Sequence, residues 1–426
     1  MTPRRVPWMV VGLAVVVWVV MQFGWYADAV ITDIPVYREA GEAMLDGRIP
    51  YRDFSLEYPP LAAALFALVA LVPLPYAGVF SVVMLLCLIA TALSALAIAR
   101  ELDLGAGRQL LAGVAVAVSP LLIGNLVESR FDLLLAALMG WMIWAMVAGR
   151  WQLAWTLFGL ATLAKLIPLI LAPVLVLFQR HREGLARALA GLVGGVGLAA
   201  AGVLPFLVAS PGGTWDIARY HLERPLQVES IGSAYLILLD KLADIGLAVE
   251  NSYGSQGLSG DGAAAIAAIS SAVLVVLVAA VAITFALGLR RSRAPGDARL
   301  LVAAVAATLA AGLAAGKVLS PQFLLWLMPA AFLIAGRYGR AALGIALAAF
   351  LATGIYFPHR YWDLVAFDAL PVVLLLIRDA LLIALVAACW PRPHIGERGD
   401  AGPLGRASEA REGRAERAVA ARYLTD

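Results

Sequence analysis

The sequence predicts an all-α, polytopic membrane protein of about 12 transmembrane helices plus one re-entrant or juxtamembrane helix. Two observations predict this class. Hydrophobic residues make up 62% of the 426 residues and charged residues 14%, whereas soluble domains average about 45–50% and about 25%. Apolar runs of about 20 residues, the length that crosses a bilayer core, recur along the chain. Because these runs are continuous rather than alternating, they favour helices over a β-barrel.

The length of each apolar run places the spans. The first run has no small-x-small cleavage site and is long for a signal peptide, so we expect it to be retained. The predicted spans lie at 7–27, 76–100, 109–127, 131–149, 152–164, 165–179, 187–209, 263–289, 299–316, 319–336, 341–357 and 369–390. Residues 1–390 then form the membrane domain. Residues 391–426 are charged and poor in large apolar groups, which is typical of a disordered tail.

Two segments depart from simple spans. The apolar stretch within 59–75 is bounded by prolines and is short for a crossing, so it predicts an interfacial or re-entrant helix. Lys165 and Pro168 mark the join between two short spans, which predicts a broken helix pair with a lysine at the break. That lysine could snorkel towards water or could face an anionic ligand.

Charge distribution predicts the orientation. Basic residues at Arg4 and Arg5 and in the alternate loops place both termini in the cytoplasm, whereas the acid-rich segments 28–58, 210–262 and 358–368 fall outside the cell (plasma or inner) membrane. The net charge of +3 is too small to indicate a nucleic-acid partner. Cys87 and Cys389 lie inside apolar runs, so neither a disulfide framework nor a CxxC metal site is expected.

The first outer segment is dense in acids and tyrosines. Asp33 follows the first span, and Tyr37 stands one helical turn later. Asp33 is either the N-cap of a short helix that starts near Pro35 or a functional carboxylate. The second half of the segment is bracketed by prolines and forms either a headgroup anchor or a sugar-contacting surface, with Tyr51, Asp53, Glu57 and Tyr58 as its candidates.

Basic residues on the outer side break the positive-inside trend and are the main binding candidates. They are Arg130, Lys165, Arg224, Lys317, Arg360 and Arg378. Arg130 either pairs with Glu128 or Asp132 or binds a phosphate. Arg378 is adjacent to Asp379 in the last span, and the pair could neutralise itself. Because adjacent helical residues do not face each other, we expect another partner for Arg378, such as a bound phosphate. Such a group of cations could bind the phosphate of a lipid-linked donor, and a carboxylate among them could act as a general base.

Further polar candidates lie near these cations. Asp132 follows Arg130, and Gln322 follows Lys317 in a short outer hairpin. The large outer loop contributes His221, Gln227 and Glu229 together with Arg224. One histidine among scattered acids lacks metal-site spacing, so this cluster forms either part of the binding site or a solvated loop face.

Five motifs carry a family resemblance: Asp33 after the first span, Gly47 to Pro60, Arg130-Phe-Asp132, Lys165-Leu-Ile-Pro168 and Lys317 to Trp326. With them the chain resembles the integral-membrane glycosyltransferases of the GT-C superfamily. Within these it is similar to the glycosyltransferase family 87 type, which includes actinobacterial α-1,2-mannosyltransferases. The tyrosine–proline–proline block at 58–60 is distinctive in combination.

The resemblance implies a GT-C-like fold and an extracytoplasmic active site in the bilayer. It implies a polyprenyl-phosphate sugar donor, often mannose, a glycolipid or glycan acceptor, and inversion at the anomeric carbon. No metal or other cofactor is implied. Asp33 matches the aspartate that acts as base. Asp53 and Glu57 then become acceptor contacts or loop scaffolding.

Two other function classes stay open at this point. A 12-span transporter or lipid flippase predicts pseudo-symmetric halves and ionisable residues near the midplane. A non-catalytic polytopic subunit would keep the fold without the activity.

Overall fold

The computed structural model describes residues 5–27, 31–292 and 296–392, and these are mostly helical. The predicted tail at 391–426 lies outside the described residues except for its first two positions. The helices in chain order are α1 (Val6–Val20), α2 (Ile34–Leu45), α3 (Pro60–Ala70), α4 (Tyr76–Glu101), α5 (Ala106–Val118), α6 (Pro120–Ile123), α7 (Leu126–Ser129), α8 (Asp132–Val147), α9 (Trp151–Ala164), α10 (Ala172–Glu183), α11 (Leu185–Ala209), α12 (Pro211–Glu223), α13 (Ile231–Ala243), α14 (Ala263–Leu289), α15 (Gly296–Ala315), α16 (Met328–Ala331), α17 (Gly339–Tyr356), α18 (Tyr361–Val365) and α19 (Ala369–Cys389). Short 3-10 helices occupy Gly24–Tyr26, Ile167–Leu171 and Pro321–Leu327.

Within the described residues, seven helices are long and apolar enough to cross a membrane by length and composition. They are α4, α5 with its continuation α6, α11, α14, α15, α17 and α19, and each corresponds to one predicted span. The chain is therefore an all-α polytopic membrane protein. The other five predicted spans are shorter or broken helices, so the count of twelve stays a prediction.

Helix α15 forms the centre of the bundle. It is buried along almost its whole length and packs against α14 and α19. Helices α11 and α14 have largely exposed apolar surfaces. Their exposed faces suit contact with lipid.

The broken elements lie beside the site described below. Helix α3 has 11 residues, about 17 Å at 1.5 Å per residue, which is too short to cross. Helix α9 ends at Ala164, and Lys165 is extended before the 3-10 helix Ile167–Leu171, so the break lies where Pro168 predicts it. The predicted span at 319–336 is not one helix, because Pro321 and Pro329 each begin a short helical piece.

Side-chain contacts sort the loops into two ends of the bundle. Arg108 donates to the carbonyl of Ile334, Arg299 to the carbonyl of Leu102, and Arg182 pairs with Asp297. These contacts join basic loops that the charge rule places on one side. The segments that it places on the other side also contact one another, as detailed below. The grouping agrees with the predicted alternation of loops.

The segment 210–262 is more ordered than the predicted loop. It contains α12, α13 and a three-stranded antiparallel sheet of β1 (Leu226–Gln227), β2 (Ala248–Ser252) and β3 (Ser255–Ser259), in the order β1-β3-β2. Tyr253 and Gly254 form the turn between β2 and β3 with φ of 51° and 62°. Positive φ at both central residues is typical of a two-residue hairpin turn. The short polar strands carry no strong hydrophobic alternation, so the sequence pattern did not predict this sheet.

Candidate functional site

A cavity of about 890 Å³ lies at the end of the bundle that holds the outer segments of the sequence prediction. Thirteen of the sixteen predicted site residues line it: Asp33, Tyr37, Glu57, Tyr58, Arg130, Asp132, Lys165, His221, Arg224, Gln227, Glu229, Lys317 and Gln322. Tyr51, Asp53 and Arg378 do not. Residues far apart in the sequence are thus brought to one place, and the separate groups below show how.

Asp33 immediately precedes α2 but does not cap it with its side chain. Its Oδ2 lies 3.1 Å from Nε of Arg130 and accepts a 3.3 Å hydrogen bond from the Tyr37 hydroxyl. The Oδ1 atom has no recorded partner among the described residues. The cap interpretation is therefore not supported, and one carboxylate oxygen is available to a ligand.

Arg130 takes Asp33 as its carboxylate partner rather than Glu128, which accepts a hydrogen bond from Gln22 instead. The extended backbone of Arg130 separates α7 from α8 and directs its buried side chain towards Asp33. Pairing with Glu128 was one of the open alternatives, and the structure contradicts it.

Aromatic rings form the wall behind Asp33. Tyr37 stacks on Phe66, and the rings of Tyr58 and Phe131 meet it edge to face. Burial raises the pKa of both Tyr37 and Tyr58 well above the usual tyrosine value. Both hydroxyls therefore stay protonated at neutral pH; that of Tyr37 donates to Asp33, and that of Tyr58 lies beside Glu57.

Asp132 and Lys165 form a second carboxylate–cation pair. Nζ of Lys165 lies 2.6 Å from Oδ1 of Asp132, and the Trp326 indole donates to the same oxygen at 2.7 Å. The ammonium also lies about 5 Å from the ring centres of Phe131, Phe323 and Trp326, within cation–π range. The break after α9 thus places Lys165 in an aromatic cage with its charge facing the cavity.

Arg224, Lys317 and His221 lie at the end of α12 and the loop after α15. Arg224 donates to the Ser255 hydroxyl at 3.2 Å, and Lys317 donates to the carbonyl of Leu222 at 2.7 Å. Burial lowers the pKa of Lys317. Burial, reinforced by nearby Arg224 and Lys165, lowers the pKa of His221 to about 4. His221 is consequently neutral at pH 7, and no described residue hydrogen-bonds its buried Nε2.

Glu229 is buried and accepts hydrogen bonds from the Tyr356 hydroxyl at 2.9 Å and from Gln227 at 3.3 Å. Burial raises the pKa of this carboxyl to about 7. Gln227 also bonds Ser320 at 3.2 Å and, through its backbone N–H, the carbonyl of Lys317. These contacts tie the β1 segment to the loop after α15.

Arg378 supports the cavity from behind and does not line it. It pairs with adjacent Asp379 at 2.7 Å and donates to the Glu229 carbonyl and to the Tyr356 hydroxyl. The adjacent pair therefore does neutralise itself, because the long guanidinium side chain folds back to its neighbour, and the further partners of Arg378 are the Glu229 carbonyl and the Tyr356 hydroxyl.

Tyr51 and Asp53 stabilise the first outer segment itself. The Tyr51 hydroxyl donates to the Tyr58 carbonyl at 2.6 Å. Asp53 accepts from the Ile49 N–H at 2.7 Å and pairs with Arg52, and this pairing lowers its pKa to about 2. Of the two possibilities for Asp53, the structure favours loop scaffolding over acceptor contact. Glu57 does line the cavity, beside the hydroxyls of Tyr58 and Tyr220.

Sequence reasoning missed several lining residues. Aromatic residues Tyr220, Phe323, Trp326, Tyr361 and Trp362 and the amides of Asn251 and Gln256 line the cavity. It also missed an apolar arm formed by Leu166, Ile167, Ile170, Leu274 and Leu313. Phe323 and Trp326 stood in the motif that begins at Lys317, and Leu166 and Ile167 in the motif that begins at Lys165, so these four could have been included. The others carry no charge pattern that singles them out.

Comparisons with known proteins assign the chain to a family. A family model described as glycosyltransferase family 87 matches residues 56–321, more than half of the chain. The apo crystal structure of the oligosaccharyltransferase from Archaeoglobus fulgidus is similar with a TM-score of 0.46 and 12% sequence identity, over 96% of this chain. The chain spans 60% of the length of that protein. No curated protein sequence matches the chain. From the family model, the chain is a membrane glycosyltransferase and belongs to glycosyltransferase family 87.

Proposed function

We propose that this glycosyltransferase transfers a sugar, mannose by family resemblance, from a polyprenyl-phosphate donor to a glycolipid or cell-envelope glycan. The reaction inverts the anomeric carbon and takes place at the extracytoplasmic face of the cell membrane, with Asp33 as general base. The observation that carries the proposal is the free Oδ1 of Asp33 in a cavity that combines four basic residues with an apolar arm.

Asp33 has a fixed side-chain orientation and one available carboxylate oxygen, as a general base requires. Arg130 and Tyr37 both contact Oδ2, so the orientation of the carboxylate is fixed while Oδ1 remains available. An acceptor hydroxyl at Oδ1 would give up its proton as its oxygen attacks the anomeric carbon. The bond from that carbon to the lipid phosphate then breaks, and the phosphate leaves with the electron pair.

Basic residues in the same cavity suit the departing phosphate. Arg130, Lys165, Arg224 and Lys317 line it. Lys165 has one carboxylate partner, and an ammonium group has three donors, so donors remain for a phosphate. Positive groups fixed in a largely dehydrated site stabilise negative charge that develops in the transition state.

The apolar arm suits the hydrocarbon chain of a lipid donor. It runs between the 3-10 helix after Lys165, the lipid-exposed helix α14 and the glycine face of α15. A Cβ atom at Gly312 would lie 3.0 Å from Cδ1 of Ile170, so the glycine keeps the arm open. The arm therefore begins beside Lys165, where the phosphate would be bound.

A leucine at Gly312 tests the arm. Gly312→Leu should raise the KM for a long-chain polyprenyl-phosphate sugar about tenfold, equivalent to about 1.4 kcal/mol. A water-soluble short-chain analogue should be used with nearly unchanged KM. Gly344→Leu on α17 is the matched control, because a Cβ there meets nothing within 4 Å. An equal effect on both donors would contradict a lipid-chain arm.

The transporter alternative receives less support. In a transporter, the ionisable residues should lie near the membrane midplane. The charged residues of this cavity come instead from segments at one end of the bundle. The family match is to glycosyltransferases.

The decisive test is a transfer assay with purified protein in liposomes. Polyprenyl-phosphate mannose and a nucleotide-activated mannose are offered separately with glycolipid acceptors, and the product anomer is determined by NMR. Transfer from the lipid donor alone, with inversion and only from the extracytoplasmic side, is expected. Transfer from the nucleotide sugar, or retention of configuration, would refute the proposal. Absence of transfer from every donor would favour the non-catalytic subunit.

A further inference from the structure

One wall of the cavity carries uncharged polar groups that the reaction above does not use. Asn251 and Gln256 are directly paired across β2 and β3, so their side chains emerge on the same face of the sheet. Both line the cavity, and no described residue bonds either side-chain amide. An amide offers two donors and one acceptor, which matches the mixed donor and acceptor character of sugar hydroxyls.

An exposed aromatic ring lines the same cavity. Trp362 is 57% exposed on α18, and its ring contacts Tyr361 edge to face. Tyr361 in turn packs against Phe357, and its hydroxyl lies beside the backbone N–H of Gln256. Tyr361 therefore links the Trp362 ring to the backbone of Gln256, one member of the amide pair. The face of an indole ring can pack against the apolar side of a ligand at low entropic cost, while neighbouring polar groups of the protein hydrogen-bond to that ligand.

This wall differs from the region assigned to the donor. Lys165 and Lys317 lie near the apolar arm, and Arg224 marks the border because it bonds Ser255 next to Gln256. The amide pair and Trp362 add neither a cation nor an apolar groove. A phosphate or a lipid chain would gain little here, whereas a pyranose ring has both an apolar C–H face and a rim of hydroxyls.

We propose that Asn251, Gln256 and Trp362 form a saccharide subsite that binds a pyranose ring of the acceptor glycan. The assignment of the ring to the acceptor rests on the proposed function. The binding of a saccharide to this wall does not depend on it, because it follows from the exposed ring and the unpaired amides.

The test measures binding and kinetics separately. Saturation-transfer NMR on the purified protein without donor uses methyl α-mannoside and α-linked mannobiose as probes. Trp362→Ala should weaken mannobiose binding about tenfold, equivalent to about 1.4 kcal/mol, and Trp362→Phe should retain most of it. The double variant Asn251→Ala/Gln256→Ala should weaken binding to a similar extent. In the transfer assay these variants should raise the KM for acceptor and leave the KM for donor unchanged.

Trp215→Ala is the matched control, because Trp215 is 61% exposed on α12 and does not line the cavity. An exposed tryptophan that only anchors the protein at the membrane surface would give equal effects in Trp362→Ala and Trp215→Ala, which would overturn the subsite. Failure of wild type to bind either probe would also overturn it. A raised KM for donor instead of acceptor would overturn the acceptor assignment. Saccharide binding without any transfer would support the subsite while refuting the proposed function.

Discussion

Replacement of Asp33 by asparagine gives the sharpest test of the proposed chemistry. The substitution keeps the shape of the side chain and an oxygen that can accept from Tyr37, but it removes the base. General bases contribute about 10²- to 10⁴-fold to rate, so kcat should fall by that factor, equivalent to about 3–5 kcal/mol of barrier. The KM for donor should change little, because the basic residues and the apolar arm remain.

The same substitution has a calculable effect on stability. Arg130, whose side chain is 7% exposed, loses a carboxylate at 3.1 Å. Breaking a fully buried pair costs about 3–5 kcal/mol. Asp33 is 30% exposed, however, and solvent screens the pair. We therefore expect a loss nearer to about 1 kcal/mol, which leaves the protein folded.

Asp53→Asn is the matched comparison, since it makes the same change in the same segment. Asp53 bonds Ile49 and Arg52 and lies outside the cavity lining. Initial rates with saturating donor and acceptor, together with apparent Tm in detergent, should separate the two variants. Transfer by Asp33→Asn at more than about a tenth of the wild-type rate would refute the base assignment. Equal losses in both variants would indicate a general effect on the segment.

Two further predictions concern the buried ionisable groups. Lys165→Met leaves the buried Asp132 carboxylate without its cation, so the free energy of unfolding should fall by about 3–5 kcal/mol. The double variant Lys165→Met/Asp132→Asn should recover most of the apparent Tm but not the transfer activity. Recovery of both would mean that Lys165 has only a structural role. Between pH 4.5 and about 7, native Glu229 keeps a proton that the unfolded chain has lost, so its contribution to stability falls as pH rises. His221 acts oppositely between pH 6.5 and about 4, where only the unfolded chain binds the proton. His221 is the same in both proteins, so the difference between Glu229→Gln and wild type isolates Glu229. Between pH 4.5 and about 7 the apparent Tm of wild type should decline with rising pH relative to that of Glu229→Gln, and identical profiles would contradict this.

Charge placement in the sequence predicted most of the cavity, for a physical reason. Ionisable groups are costly near a bilayer and persist where they are paired or used. Lys165 and Lys317 stood on the side where the positive-inside trend places few cations, and both line the cavity. Arg378 followed the same logic but turned inwards to Asp379 and Glu229. Sequence position locates a cation at a membrane depth but does not determine where a long, flexible side chain points.

The uncharged lining residues carried no comparable signal. Trp362 looks like an ordinary interfacial tryptophan in the sequence, and Asn251 and Gln256 look like polar loop residues. Their proximity depends on a hairpin whose register is set by a two-residue turn and on the packing of α18 through Tyr361. Neither is encoded in hydrophobic periodicity, which is the main signal a single sequence offers.

Comparison of the four described acids that line the cavity supports the proposal that Asp33 is the base. Both oxygens of Glu229 accept hydrogen bonds, and its side chain is buried. Asp132 is 1% exposed: Lys165 and Trp326 contact its Oδ1, and its Oδ2 is buried with no partner in the part of the chain that the structure describes. Glu57 lies beside two tyrosine hydroxyls that can donate to it. Asp33 combines an orientation set by Arg130 and Tyr37 with a partly exposed carboxylate, and no described residue bonds its second oxygen. A base must both hold its direction and meet the incoming hydroxyl. Asp132 and Glu229 do not meet the second condition, and Glu57 forms no ion pair with a described residue that would fix its direction as Arg130 fixes that of Asp33. Asp132→Asn, Glu229→Gln and Glu57→Gln should therefore each reduce transfer less than Asp33→Asn.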